Sequence, residues 1–192
     1  MILAVEDIVT EAVAKKLVTT VRPDLAITAV IGHRGKGYIQ GRARELNRSA
    51  GSLKVLILTD LDSPSTCPPE LRASWFGTTM PHALFRVAVM EVESWVLADR
   101  QRAASMLGVP VDRIPANTDR IGHPKQHIVN LARRSRFTDV RQELVPAPRS
   151  TAVVGPAYNP RIVAFITESW NPIAGAPVSE SLARAIDRIS RW

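Results

Sequence analysis

One cysteine, Cys67, is all the thiol the 192-residue chain contains. An internal disulfide is thereby excluded, as is any zinc site built on several thiolates, and a lone thiol in a loop fits a reducing compartment. No apolar run reaches the roughly 18 residues needed to cross a bilayer. The opening MILAVEDIVTEAV carries acids where a secretory signal would be basic and then apolar. A soluble, cytoplasmic protein without membrane contact is the expectation. Ser-His-Asp and nucleophile-elbow patterns are missing. His123 and His127 stand four apart, but Pro124 follows the first and no glutamate occupies the zinc-protease position. Internal repeats and low-complexity tails are also absent.

Acidic residues are in the minority. Lys and Arg number 25 against 18 Asp and Glu, for a formal charge of +7 and a sequence pI near 10.3. Such an excess favours polyanionic partners, because each phosphate neutralised by Lys or Arg releases condensed counterions. Nucleic acid is the partner this balance suggests. At 45% hydrophobic residues, the chain can bury one core of ordinary size with a smaller appendage.

The apolar patterning divides the chain near Asp99. Before it, four short β-prone runs, MILAV, LAITAVI (Leu25 to Ile31), LKVLILT (Leu53 to Thr59) and ALFRVAVM (Ala83 to Met90), alternate with helical stripes. One stripe is Val9, Val13 and Leu17 with Ala12; another is Ile39, Ala43, Leu46 and Ala50. Strands alternating with helices indicate an α/β fold with a mostly parallel sheet. Beyond Asp99 the pattern gives helical pieces around Arg100 to Leu107, Lys125 to Arg134, Pro160 to Trp170 and Ser179 to Ile189. Pro124 suits a first helical position and Asn159 an N-cap. The expectation is an α/β domain over 1–99 and a helical C-terminal portion over 100–192 packed on it. Trp95, Trp170 and Trp192 fall within apolar stripes and read as core or interface residues.

Ligands of an open α/β sheet bind beyond the carboxyl ends of its strands. Here Glu6 follows the first strand, Asp60 and Asp62 the third, and Glu91 and Glu93 the fourth. Held together without a cation, such carboxylates repel and raise one another's pKa. Mg²⁺ prefers a few carboxylates plus waters and phosphate oxygens, and in an extended segment Asp60 and Asp62 point to one side. The alternative is that these acids cap turns and helices: Asp60 or Asp62 near PPELRASWF, Glu6 and Asp7 at the first helix. If a helix has begun by Glu91, it and Glu93 lie about 200° apart and only one reaches the site; Glu93 is the choice.

Two stretches, LAVEDIVTEAV with Glu6 and LILTDLD with Asp60-Leu61-Asp62, resemble the Toprim fold of topoisomerases, bacterial primases and overcoming-lysogenization-defect nucleases. Over nearly its whole length the chain is similar to a family of small uncharacterised bacterial Toprim-like proteins, through VEDIVTEAV, GKGYI, LTDLD, FRVAVMEVESWVLADR, HPK, NLARRSR and GPAYN. The resemblance implies Mg²⁺-dependent phosphodiester chemistry, with Glu6 as acid or base and Asp60 and Asp62 as metal ligands. Mn²⁺ would serve as a substitute. It also suggests a partner ATPase in phage defence. Asp7 stands where the overcoming-lysogenization-defect nucleases usually have glycine, which alters backbone approach to a phosphate. Tyr38 and Tyr158 are the only tyrosines, and neither sits in a separate strand-passage domain, so water is favoured over tyrosine as nucleophile.

GHRGKG carries Arg34 and Lys36 on a turn before a helix, where cations and backbone N–H groups could hold a phosphate, or the segment is a simple glycine turn. It lacks the spacing of a nucleotide-binding phosphate loop. ARRSR, with Arg133 and Arg134, could track a nucleic-acid backbone or end a solvated helix. The combined expectation is a metal-dependent nuclease or nuclease subunit, with Glu6, Asp60, Asp62 and Glu93 catalytic and Glu6, Asp60 and Asp62 on the metal. The rival is a non-catalytic interaction subunit that docks an ATPase or nucleic acid. A phosphatase using the same acids is a third reading, and a homo-oligomer fits any of them.

Overall fold

A computed structural model describes residues 1–63, 65–78 and 81–192.

The four β-prone runs form four strands: β1 (Ile2–Val5), β2 (Ala29–Gly32), β3 (Val55–Asp60) and β4 (Leu84–Ala88). They make one sheet in the order β2-β1-β3-β4, and every pairing is parallel. Among the described residues ten α-helices surround it: α1 (Ile8–Val21), α2 (Lys36–Ser49), α3 (Pro68–Phe76), α4 (Glu93–Ala98), α5 (Arg100–Leu107), α6 (Pro124–Ala132), α7 (Thr138–Leu144), α8 (Tyr158–Glu168), α9 (Pro172–Gly175) and α10 (Glu180–Ser190). The α/β class with a helical C-terminal portion is thus the observed architecture. No helix among the described residues is long and apolar enough to cross a membrane.

Alternation along the central strands sends successive side chains to opposite faces. Leu3, Val5, Leu56 and Leu58 join the larger core with α1 and the helices after Asp99, through residues such as Leu107, Ile128, Tyr158, Trp170 and Leu182. Ala4, Val55 and Ile57 face the smaller core, where Ile39, Leu46, Leu71 and Trp75 of α2 and α3 cover the sheet. One face therefore carries a thin helical layer and the other is shared with the C-terminal half. Asp99, where the composition changes, is 2% exposed and accepts the Asn171 N–H at 2.9 Å. Trp95 and Trp170 are buried in the same region, with the Trp170 indole N–H donating to the Trp95 carbonyl.

Three local readings change. The second strand begins only at Ala29, opposite Ile2, although the Met1 amine still donates to the Ala26 carbonyl at 2.6 Å and the Thr28 N–H to the Met1 carbonyl at 2.9 Å. The helix expected to start after Asn159 includes Tyr158, with Ala157 in the N-cap position. Pro160 then falls in the first turn, where no N–H is needed. Lys36 opens α2 rather than standing in the preceding turn.

Candidate active site at the carboxyl edge of the sheet

Strand order decides which acids meet. β1, β3 and β4 are consecutive neighbours, so the residues just past Val5, Thr59 and Ala88 emerge side by side. Glu6 leans onto β3: its Oε1 accepts the Asp60 N–H at 2.9 Å and the Thr59 hydroxyl. Asp60 reaches onward to the β4 side, where its Oδ1 accepts the Val92 N–H at 2.8 Å and fastens the start of α4. Main-chain bonds continue this seam, from Leu61 N–H to the Ala88 carbonyl and from Asp62 N–H to the Met90 carbonyl.

The next residue is Glu93, first in α4 and 1% exposed. Its Oε1 accepts the Tyr158 hydroxyl at 3.3 Å and lies 3.4 Å from Lys125 Nζ. Its Oε2 is buried with no hydrogen-bond partner. Glu91 is also in use, accepting the Lys125 N–H at 2.7 Å in the first turn of α6, where an acid suits the helix dipole. The helical half thus completes the acidic edge with Lys125 and Tyr158.

These surroundings raise the pKa of Glu6, Asp60 and Glu93. Burial raises Glu6, with Asp62 adding repulsion while bonds from Thr59 and Asp60 and the charge of Lys36 oppose it. Asp60 is pushed well up by burial and then by Glu93, Glu6, Asp62 and Asp7. Burial lifts Glu93 to about 7 against the pull of Lys125. Tyr158 is raised by its own burial and by Glu93. Like charges have been gathered in a place that disfavours charge.

Lys36 is the cation on the other flank. Its Nζ donates to the Asp60 carbonyl at 2.6 Å, the Leu61 carbonyl at 3.2 Å and Asp62 Oδ2 at 3.0 Å. Asp62 does not continue as extended strand: its φ is 61°, and its side chain is half exposed. The picture of Asp60 and Asp62 on one side of a straight segment therefore fails locally, although both remain at this edge. Gly32 brings the loop carrying Lys36 in close. It pairs with Val5 at φ 152°, and a Cβ there would lie 1.8 Å from the Val5 carbonyl oxygen. The Gly35 N–H then reaches the Glu6 carbonyl at 3.1 Å.

The remaining sequence-predicted residues stand apart. Arg34 lies over the Tyr38 ring, 5.2 Å from its centroid. Arg133 and Arg134 are exposed at the end of α6. Asp7 caps α1 through its bond from the Thr10 N–H, while Glu6 does not cap that helix and is committed to β3. Thr59, Lys125 and Tyr158 escaped residue-level reading, since a lysine after His-Pro and a tyrosine after Gly-Pro-Ala carry no spacing that points to an acid in a distant strand.

Donor chemistry at this edge suits a hard divalent cation: carboxylate oxygens, one of them buried and unpaired. Among the described residues no three Asp, Glu, His or Cys side chains form a ready metal cage. Comparison with protein-family models, curated proteins and solved structures finds no match to this chain, so the site is interpreted through its own geometry.

Proposed function

We propose that this protein is a Mg²⁺-dependent hydrolase of phosphodiester bonds in nucleic acid, or the nuclease subunit of a larger assembly. The observation that carries the reading is that Asp60, at the end of β3, feels the charges of both Glu6, just past β1, and Glu93, at the start of α4 after β4, with Glu93 Oε2 left buried and unpartnered. A fold retains such an arrangement at a cost in stability, and a divalent cation relieves it. The Toprim resemblance points to Glu6 and Asp60, with Asp62, and the +7 charge suits a polyanionic substrate.

Asp60 would hold the ion, with Glu6 and Asp62 beside it. Bound there, Mg²⁺ would polarise a phosphoryl oxygen and acidify a water. Lys36 stands within reach of Asp62 and the Asp60 carbonyl, placed to offset negative charge on a phosphate. Glu93 can carry or release a proton at Oε2 near neutral pH, held in orientation by Tyr158 and Lys125 at Oε1. Attack by water needs no protein nucleophile, and Tyr158, 1% exposed and bonded to Glu93, is poorly placed to be one.

A second reading has its own support. Lys36 and Lys125 already put ammonium groups against Asp62 and Glu93, so the acids can be neutralised by the chain itself in a non-catalytic subunit that docks an ATPase or nucleic acid. The phage-defence role and the ATPase partner rest on the resemblance alone. Metal titration separates the two readings: Mn²⁺ binding that disappears in Asp60→Asn/Asp62→Asn supports the hydrolase, and no binding supports the docking subunit.

A further inference from the structure

Two walls adjoining Lys125 and Tyr158, the partners of Glu93, enclose a groove. One is α6: Lys125 meets Glu93, and the following residue, Gln126, lines a groove of about 480 Å³ that extends to Arg133. Gln126 and Arg133 are seven residues apart, two helical turns on one face, so this wall is about 10 Å long. The other wall is the segment between α7 and α8. Its base is closed by the Gly155 N–H on the Leu144 carbonyl at 2.9 Å and the Ala157 N–H on the Glu143 carbonyl at 3.0 Å. The next residue is Tyr158, whose hydroxyl meets Glu93.

The lining has two chemistries. Pro146, Pro148 and Val153 make it apolar, with Val153 64% exposed. Arg133 and Arg149 make it cationic, and neither has an ion-pair partner among the described residues. Arg149 also sits oddly. It is third in the Ala147–Ser150 turn, closed by the Ser150 N–H on the Ala147 carbonyl at 3.0 Å, and has φ 66°. Glycine or asparagine ordinarily takes such a position, and a long side chain there is strained. The turn aims a free guanidinium into a groove that already holds another.

We propose that this groove carries the sugar–phosphate backbone of a polynucleotide away from the acidic edge, with Arg133 and Arg149 on phosphates and the proline and valine surface against ribose and base. No aromatic ring lines it among the described residues, so the proposed contact depends on charge and not on base stacking. The proposal takes its direction from reading the acidic edge as the hydrolytic site, while binding in the groove does not require hydrolysis.

The test is fluorescence anisotropy on labelled strands of about 12 nucleotides, DNA and RNA, single and double, in EDTA over about 50 to 200 mM salt. Arg133→Gln/Arg149→Gln should lower affinity about tenfold and reduce the single-strand log–log salt slope by about 1 to 2. Arg133→Lys/Arg149→Lys should recover most of the affinity. Asp60→Asn/Asp62→Asn should bind at least as tightly as the unaltered protein. Unchanged affinity and slope in the glutamine pair would overturn the proposal, as would an equal loss in Arg44→Gln/Arg184→Gln, which lie on α2 and α10. Groove binding that behaves as expected beside a protein that cleaves nothing in Mg²⁺ would leave the groove standing and remove the hydrolase reading.

Discussion

Lys125 Nζ lies 3.4 Å from Glu93 Oε1, joining a lysine of the helical half to a glutamate that opens the helix after β4. The pair is buried on the acid's side and open on the lysine's, at 1% and 32% side-chain exposure. Burial nevertheless outweighs the ion pair, since Glu93 is lifted to about 7. The acidic edge is therefore under tension that titration can measure.

A raised carboxyl pKa makes folding favour the protonated form. Below the unfolded value of 4.5 Glu93 is neutral in both states and costs nothing; the penalty grows as pH rises and is complete above about 7. Its full size is on the order of 3 kcal/mol. Glu93→Gln should thus raise the melting temperature at pH 8 and change it little at pH 4.5. A melting difference independent of pH would show that the buried charge is not the source.

Divalent cations should relieve the same repulsion from outside. At ten times its Kd, Mg²⁺ stabilises the folded state by about 1.4 kcal/mol, readable as a rise in melting temperature at pH 8. Asp60→Asn/Asp62→Asn should abolish the rise. An equal rise in both proteins would place the ion elsewhere.

Lys36 gives a kinetic prediction. Lys36→Gln keeps a donor for the Asp60 and Leu61 carbonyls but removes the charge beside Asp62. Loss of one charge-stabilising group lowers kcat by about 100-fold or more, so hydrolysis of a phosphodiester should fall that far while melting shifts only slightly. Unaltered kcat would restrict Lys36 to holding the strand ends.

Gly32→Ala tests the approach of the loop carrying Lys36 to β1. A Cβ 1.8 Å from the Val5 carbonyl oxygen forces the β1–β2 pairing apart, and a loss of about 3 kcal/mol or more is expected in urea unfolding. Gly37→Ala, with open space around its Cβ position, should be nearly neutral.

The sheet and its carboxyl edge were legible because β1 and β3 are apolar runs ended by acids, a pattern that survives translation into structure almost residue for residue. Glu93 was named from the sequence on a helical phase that does not apply, since α4 begins at Glu93 and Glu91 precedes it, accepting the Lys125 N–H. Lys125 and Tyr158 were not legible, because their roles depend on where α6 and α8 pack, and packing of distant helices leaves no local period in the chain. The turn at Asp62 was hidden for a different reason: its φ of 61° is imposed by the Met90 carbonyl and Lys36, both remote in sequence, while Asp-x-Asp alone is compatible with a straight strand.

The central claim is metal-dependent cleavage, and it is tested most directly by incubating labelled single- and double-stranded DNA, tRNA and other RNA with the protein in Mg²⁺ and in Mn²⁺, beside Asp60→Asn/Asp62→Asn. The account predicts that at least one substrate is cut only with metal and is left intact by the double variant. Cleavage that persists in a folded, pure double variant, or no cleavage of any substrate together with no Mn²⁺ binding, would contradict it.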